Sequence, residues 1–429
     1  MRAMKDSGIE WVGAIPQNWE VKKLKYCTDL RLEKTNDKES FAPYIGLEHV
    51  SSNTGTLCDD YETITDFKGE TLDFYTGDVL FGKLRPYLAK AYHAKMNGRC
   101  SSEFWVMNPR GIEGRFLLYY VLSHGFITDI DHSTYGVKMP RAEWGYAGNS
   151  KIPFPPEKEQ AQITDFLDAK CAEVDSLIAA KEKTNALLKE RRQSLIYEAV
   201  TKGLDPTAPM KDSGIEWLGK IPKNWKIYRL KHILASEKGA IKAGPFGSSL
   251  NAVDMQGSDV KVFNQRTVLD NDFEKGDEYV SFEKYEELKG FTVASGDILI
   301  TTRGTIGKTA IVPEGKSGIL HPCLIKMTVD STVFSKRLLC RVFNETNILS
   351  EQLRLASNAT TIDVIYTQNL LNLFFAVPPM KEQEEILRFT DDECGKLDSI
   401  IRNNESTIKR LKEYRQSLIY EAVTGKKEV

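Results

Sequence analysis

Two phrases are each written twice in this chain, at unequal spacings. Met4-Lys5-Asp6-Ser7-Gly8-Ile9-Glu10-Trp11 returns as Met210-Lys211-Asp212-Ser213-Gly214-Ile215-Glu216-Trp217, a shift of 206 (210 − 4). Ile15-Pro16 and Asn18-Trp19 return as Ile221-Pro222 and Asn224-Trp225 at the same shift. The run Arg192-Gln193-Ser194-Leu195-Ile196-Tyr197-Glu198-Ala199-Val200-Thr201 returns as Arg415 to Thr424, a shift of 223 (415 − 192). The extra 17 residues (223 − 206) lie between the markers of the second half. The chain is therefore a tandem duplication in which the frame stayed constant and the contents drifted. Such a molecule presents two variable modules in two similar places.

The frame fixes the organisation. Pro155-Pro156 followed by Glu157, Lys158, Glu159 and Gln160 is a helix start, with proline at the entry and acids in the first turn. No Pro or Gly follows until Gly203, a suitable stop. About 45 residues at 1.5 Å each make a rod of roughly 65 Å. Pro378-Pro379 opens a second rod and Gly425 closes it, with Gly395 as its one interior weak point. Ile163, Leu167, Val174, Leu177, Leu188 and Leu195 form a seam along the first rod. Ile386, Leu397, Ile400, Leu411 and Leu418 form one along the second. A stripe this long needs another long helix to cover it, and the other rod is the simplest partner. The globular block between the rods permits an antiparallel pair. Lys181, Thr184 and Asn404 fall mid-seam, and they read equally as a weak stretch of coiled coil or as register control.

The expected fold class is α+β: two mixed modules separated by two long helices in an antiparallel coiled coil, with a pseudo-twofold, circular arrangement. The Met4–Trp19 segment would then sit where the end of the second rod leads. The expected divisions are a frame segment at 1–19, a mixed module at 20–154, a rod at 155–202, a second frame segment at 203–225, a mixed module at 226–377, a rod at 378–425 and a tail at 426–429.

Composition is that of an ordinary globular protein, with 41% hydrophobic and 28% charged residues. No apolar run is long enough to span a membrane, and the N-terminus lacks an apolar signal core. The seven scattered cysteines, with no C-x-x-C pair, read as reduced cytosolic thiols.

The sequence carries no recognisable active-site motif. Asn108-Pro109-Arg110 lacks the second Pro and the aromatic ring of an adenine-methyltransferase loop. No G-x-G-x-x-G follows a strand, and no G-x-S-x-G occurs. Gly304-Thr305-Ile306-Gly307-Lys308-Thr309 has too short a spacing for a P-loop and reads as a tight basic turn. No metal-ligand spacing appears among the six histidines.

What remains suits a polyanion. Between Phe81 and Ser102 stand Lys83, Arg85, Lys90, Lys95 and Arg99, with Tyr87 and Tyr92 among them and no acid before Glu103. The preceding Gly77-Asp78-Val79-Leu80 is mirrored by Gly296-Asp297-Ile298-Leu299, after which come Thr301, Thr302, Arg303, Thr305 and Lys308. Arginine reads guanine O6 and N7, while Lys and Thr hold phosphates. Gly244-Pro245-Phe246-Gly247-Ser248 has similar loop character, and Gly247 and Ser248 join the candidate contacts. It has no obvious counterpart in the first module. The net charge of −2 requires any positive surface to be local or supplied by a partner.

These residues together resemble the specificity subunits of type I restriction–modification systems. The carriers are Lys5 to Trp11 with Ile15-Pro16 and Trp19, the Pro-Pro-x-x-Glu-Gln entries at Pro155–Gln160 and Pro378–Gln383 (read as Pro-Pro followed by Glu and Gln), and the repeated rod exit. Tyr44-Ile45-Gly46-Leu47-Glu48, Gly244–Ser248 and the two Gly-Asp-x-Leu strands add to them. The resemblance covers the whole chain. It implies that each mixed module is a target-recognition domain reading one half of a split double-stranded DNA site. The helices would set the spacer and dock two modification subunits, which hold S-adenosylmethionine. ATP- and Mg-dependent restriction subunits would join them. The chain itself would hold no cofactor or metal and catalyse nothing. The competing readings are a coiled-coil adaptor for proteins and a stand-alone methyltransferase or nuclease.

Overall fold

A computed structural model describes residues 2–35, 43–58, 70–136, 138–357 and 364–429. Two compact units divide the chain, Met1–Lys183 with Asn404–Val429, and Thr184–Asn403. Each unit therefore holds one mixed module together with part of both long helices. The helices run Glu157–Lys202 and Met380–Val423, and Gly395 leaves the second one unbroken.

Among the described residues each mixed module holds two four-stranded sheets; the first has the same topology in both modules, while the second shares three strands and carries its fourth on opposite edges. In the first unit one sheet orders the strands Thr28–Arg31, Phe104–Pro109, Val79–Gly82 and Ala91–His93, all antiparallel. Its counterpart orders Ile241–Ala243, Leu324–Met327, Ile298–Thr301 and Thr309–Ile311. The second sheet of each module contains one parallel pair. Gly98–Ser101 lies parallel to Tyr44–Ile45 in one, and Gly318–Leu320 parallel to Val260–Phe263 in the other. The two central strands, Val79–Gly82 and Ile298–Thr301, are buried along their whole length. Their unbroken apolar character follows from having cover on both faces. Pairs of strands lead in and out of each module, Glu20–Lys23 with Lys151–Phe154 and Lys226–Arg229 with Phe374–Val377.

The repeated frame is the knot where one helix ends and the other begins. Met4–Asp6 pairs with Ala14–Pro16, and Met210–Asp212 with Lys220–Pro222, in the same register. Trp19 is buried, and its indole N–H donates to Glu159, which also accepts from Asn18 and Arg2. Beside them, Pro16 and Trp19 close over Gly425 at the exit of the second helix. In the other unit, Pro222 and Trp225 lie against Gly203, and Asn224 donates to Glu382 at 3.2 Å. Both exit glycines have positive φ, +78° at Gly203 and +69° at Gly425, the left-handed stop expected of them. The start of the chain thus packs against the end of the second helix.

Along the first helix Gln160, Ile163, Thr164, Leu167, Cys171, Val174, Ile178 and Leu195 are buried, and Leu188 is half-buried. Leu177 is instead 49% exposed, and Ile178 takes its place. On the second helix Ile386, Thr390, Cys394, Ile401, Asn404, Ile408 and Leu418 are buried, with Leu397 and Leu411 half-buried. Ile400 is 47% exposed, and Ile401 is the seam residue. Both corrections have one cause. A straight helix turns 3.6 residues per turn, so a stripe advances in more fours than threes. In the first unit Val174 and Ile178 pack on Ile408 and Leu411. Lys181 donates to Asn404 at 3.1 Å, Lys412 lies near Glu182, and Arg415 pairs with Asp175. Rising numbers on one helix meet falling numbers on the other, so this stretch is antiparallel.

Candidate nucleic-acid interface

The two Gly-Asp turns are structural. Asp78 is buried, accepts from the Arg31 guanidinium at 2.6 and 3.0 Å, and accepts from the Tyr75 N–H at 2.7 Å. Asp297 accepts from the Ala294 N–H at 2.9 Å and the Thr328 hydroxyl at 2.6 Å. Each carboxylate ties down the start of a central strand, so the loop at the other end of that strand has a fixed origin.

Those loops are equivalent in the two units. In the first, the chain leaves the sheet after Gly82 and makes a 3-10 turn at Pro86–Leu88 flanked by two residues in the left-handed region, Arg85 (φ +51°) and Ala89 (φ +47°). Each costs about 1–2 kcal/mol for a residue with a Cβ, and strain of this sort gathers at functional sites. A second segment holds the loop. The Arg85 N–H donates to the Pro140 carbonyl at 2.8 Å, Ala142 donates to Lys83, and Leu84 bridges Arg141. In the second unit Ile365 donates to the Thr302 carbonyl at 3.0 Å and Arg303 bridges Val364. Both hairpin loops are thus clipped by a short antiparallel bridge from the segment that leads back toward a long helix.

The expected contact residues divide into exposed and internal ones. Arg85 is exposed, with one long contact of 3.4 Å to the Lys138 carbonyl, and Tyr87 is 51% exposed. Arg303 and Thr305 are exposed, and Arg303 has no side-chain hydrogen bond or ion pair among the described residues. Gly247 and Ser248 are exposed beside Phe246, which is 84% exposed. The remaining four are held within the fold. Lys90 donates to the Leu47 carbonyl at 2.6 Å, and Lys308 to the Asn344 carbonyl at 2.8 Å at a helix C-terminus, where the dipole favours a cation. Thr302 is buried, its hydroxyl on the Cys323 carbonyl at 2.9 Å. Lys83 is half-buried and burial pushes its pKa down. It lines a cleft of about 850 Å³ with Trp105, Trp144 and the Arg141–Glu103 ion pair. Tyr92 belongs to the core. A basic side chain next to a carbonyl-rich loop end satisfies that end first, and sequence spacing does not reveal which lysines do so.

The second unit also brings its two candidate loops together. Thr302 donates to Cys323, while Gly244 donates to Leu324 and presses on the His321 carbonyl, where an added Cβ would lie 2.1 Å away. Both loops hang from the His321–Leu324 turn. The topology also supplies the missing counterpart of the Gly244–Ser248 loop, the stretch after Thr28–Arg31. It begins with Leu32, 73% exposed, and passes into residues 36–42, which lie outside the described residues.

Comparison with known proteins places this geometry. A model of the family described as type I restriction modification DNA specificity domain matches residues 222–412. The EcoBI type I restriction enzyme specificity subunit of Escherichia coli is 23% identical over 384 residues, covering 83% of this chain and 77% of that protein. The MjaVIII specificity subunit of Methanocaldococcus jannaschii is 20% identical over 440 residues, covering 96% and 93%. Over most of its length the chain is thus similar to specificity subunits of type I restriction–modification systems. A solved chain from work on complex assembly and conformational transition of the type I R-M system shares its fold, with a TM-score of 0.72 at 19% identity over 95% of this chain and 98% of that one.

The domain matched in the second half of the chain is one described by DNA specificity. Among the described residues no helix is long and apolar enough to cross a membrane. The clip segments carry no signal of a basic hairpin, because they lie far from the hairpins in sequence. Tyr135 (58% exposed), Lys138 and Met139 (48%) line one, and Tyr366 (65%) follows the other. The signal that could have found the first is the short Lys138–Arg141 stretch, which sets two cations around a Met-Pro pair.

Proposed function

We propose that each mixed module reads one half of a split DNA site through its clipped hairpin loop. The observation that carries this reading is the recurrence, after equivalent central strands, of an exposed arginine on a loop held by an antiparallel bridge. Arg85 and Arg303 would contact base edges in the major groove, where a bidentate arginine–guanine pair gives about 1–3 kcal/mol of discrimination. Tyr87, Thr305, Gly247 and Ser248 would add contacts to bases and phosphates. Lys83, Lys90, Thr302 and Lys308 would shape the loops from within. The divisions 20–154 and 226–377 are proposed as the two readers.

The long helices would set the unread spacer and dock two modification subunits, with restriction subunits joining that assembly. S-adenosylmethionine, ATP and Mg would belong to those partners. Two readers on one spacer engage the same DNA face when the half-sites lie about one turn, 34–36 Å, apart. With a net charge of −2 the isolated chain should bind DNA weakly and lose that binding with salt.

Single-molecule methylome sequencing of cells expressing this chain with its modification partner tests the reading. The expected result is one asymmetric bipartite adenine-methylated motif. A continuous motif, or methylation by the chain alone, would overturn it. An adaptor for proteins would give no new motif at all.

A further inference from the structure

The arginine that opens each repeated rod exit sits at a three-way junction between both long helices and a mixed module; Arg415 is buried there, and Arg192 keeps a quarter of its side chain exposed. Arg415, on the second long helix, has a side chain only 5% exposed. Its Nε meets Asp175 of the first long helix at 3.0 Å, while Nη1 donates to the Asn53 carbonyl at 2.6 Å and Nη2 to the Thr54 carbonyl at 3.2 Å. Asn53 sits in the left-handed region (φ +63°), and its N–H donates to the Ala89 carbonyl at 2.9 Å. Ala89 closes the turn that presents Arg85.

Arg192, on the first long helix, meets different groups. Its Nε lies 3.1 Å from Asp398 on the second long helix, and its Nη2 lies 2.7 Å from Glu345. Glu345 ends a helix whose preceding residue, Asn344, accepts from Lys308 Nζ at 2.8 Å and from the Thr309 N–H at 2.7 Å. Those two residues close the loop that presents Arg303. In the first unit hydrogen bonds run from a helix–helix ion pair through Arg415 to the base of the loop; in the second, Arg192 makes ion pairs to Asp398 and Glu345, and the path passes along the helix to Asn344 and so to the base of the loop. The planar fork suits this task, since one guanidinium can engage a carboxylate and other acceptors at once.

We propose that Arg192 and Arg415 are positioning residues that seat each reading loop on the helix pair and so hold the accepted spacing between half-sites to one value. They touch no DNA in this scheme, and which bases are read does not depend on them. The proposal rests on the reading of the modules given above.

The test uses the full chain with its modification partner and DNA in which the spacer between the half-sites varies. Methylation is followed for each spacer and for single-base changes in each half-site. Arg415→Ala and Arg192→Ala are expected to lower the preference for the best spacer over its neighbours by about tenfold, with base preferences unchanged. Arg415→Lys keeps the charge beside Asp175 but cannot span both carbonyls, and it should relax the spacing as well. Asp175→Asn, a gentler change, decides the matter if the alanine variants do not assemble. Variants that methylate at one spacer only, or that alter base preference instead, overturn the proposal. A wild-type complex that modifies no bipartite site would overturn the modular reading itself.

Discussion

Replacing Arg303 by alanine separates reading from folding more cleanly than any other single change in the second unit. The side chain is exposed and has no polar partner among the described residues, so its loss should change stability by no more than about 0.5 kcal/mol. If it reads a guanine, its loss removes about 1–3 kcal/mol of discrimination, or roughly 5- to 150-fold at one base pair. Lys308→Ala is the matched contrast five residues away. It removes a charged bond to the Asn344 carbonyl at a helix end, worth about 1–2 kcal/mol, which should lower the melting temperature by a few degrees. The assay measures methylation by the assembled complex on DNA carrying every single-base change in each half-site, alongside thermal melting of both variants. Arg303→Ala should flatten the preference at one position of one half-site and leave the other half-site and the melting temperature as they are. A normal profile for Arg303→Ala, or a flattened one for Lys308→Ala alone, would refute the division into outward-facing and structural cations.

Three further outcomes follow from the structure. Exchanging residues 20–150 for the module of a type I specificity subunit should change one half-site in the methylome and leave the other intact. Gly425→Ala forces a Cβ into the left-handed region and to 2.4 Å from Pro16, costing about 2–4 kcal/mol, whereas at Gly203 the nearest atom is 3.1 Å away and the cost should fall to about 1–2 kcal/mol; denaturant melts of the two variants check the order. Burial pushes the Glu159 carboxyl up, but the bonds from Trp19, Asn18 and Arg2 outweigh it and hold its pKa below the ordinary 4.5. A depressed carboxyl contributes stability above its unfolded pKa and loses it as pH falls through the folded one. Glu159→Gln should therefore lower the melting temperature at pH 7, with the gap closing below about pH 4.

The frame was readable because its signals are local and redundant. Proline pairs, first-turn acids and exit glycines mark each helix end without reference to anything distant. The seam was legible to within one residue, and it slipped at Leu177 and Ile400 because both have an apolar neighbour, Ile178 and Ile401, able to take the buried place. The hairpin loops are legible in the sequence, but which of their cations face outward is not. Lys90 and Lys308 look like Arg85 and Arg303 in sequence, and only the positions of the Leu47 and Asn344 carbonyls tell them apart. The clip segments were invisible for a related reason. Their pairing with the loops spans more than fifty residues and leaves no periodic trace.

The division into units carries a consequence for how the molecule is made. The second unit is one continuous stretch, Thr184–Asn403, and every residue it needs has left the ribosome once that stretch has emerged. The first unit is interrupted, and the helix segment that covers Ile163, Leu167 and Val174 comes from Asn404 onward. The N-terminal module must therefore wait, with an apolar helix face uncovered, while more than two hundred further residues are synthesised. Its partner module, begun later, can finish first. A nascent chain halted near Asn403 should accordingly hold a protease-resistant second module beside a first module still open to cleavage and to chaperones.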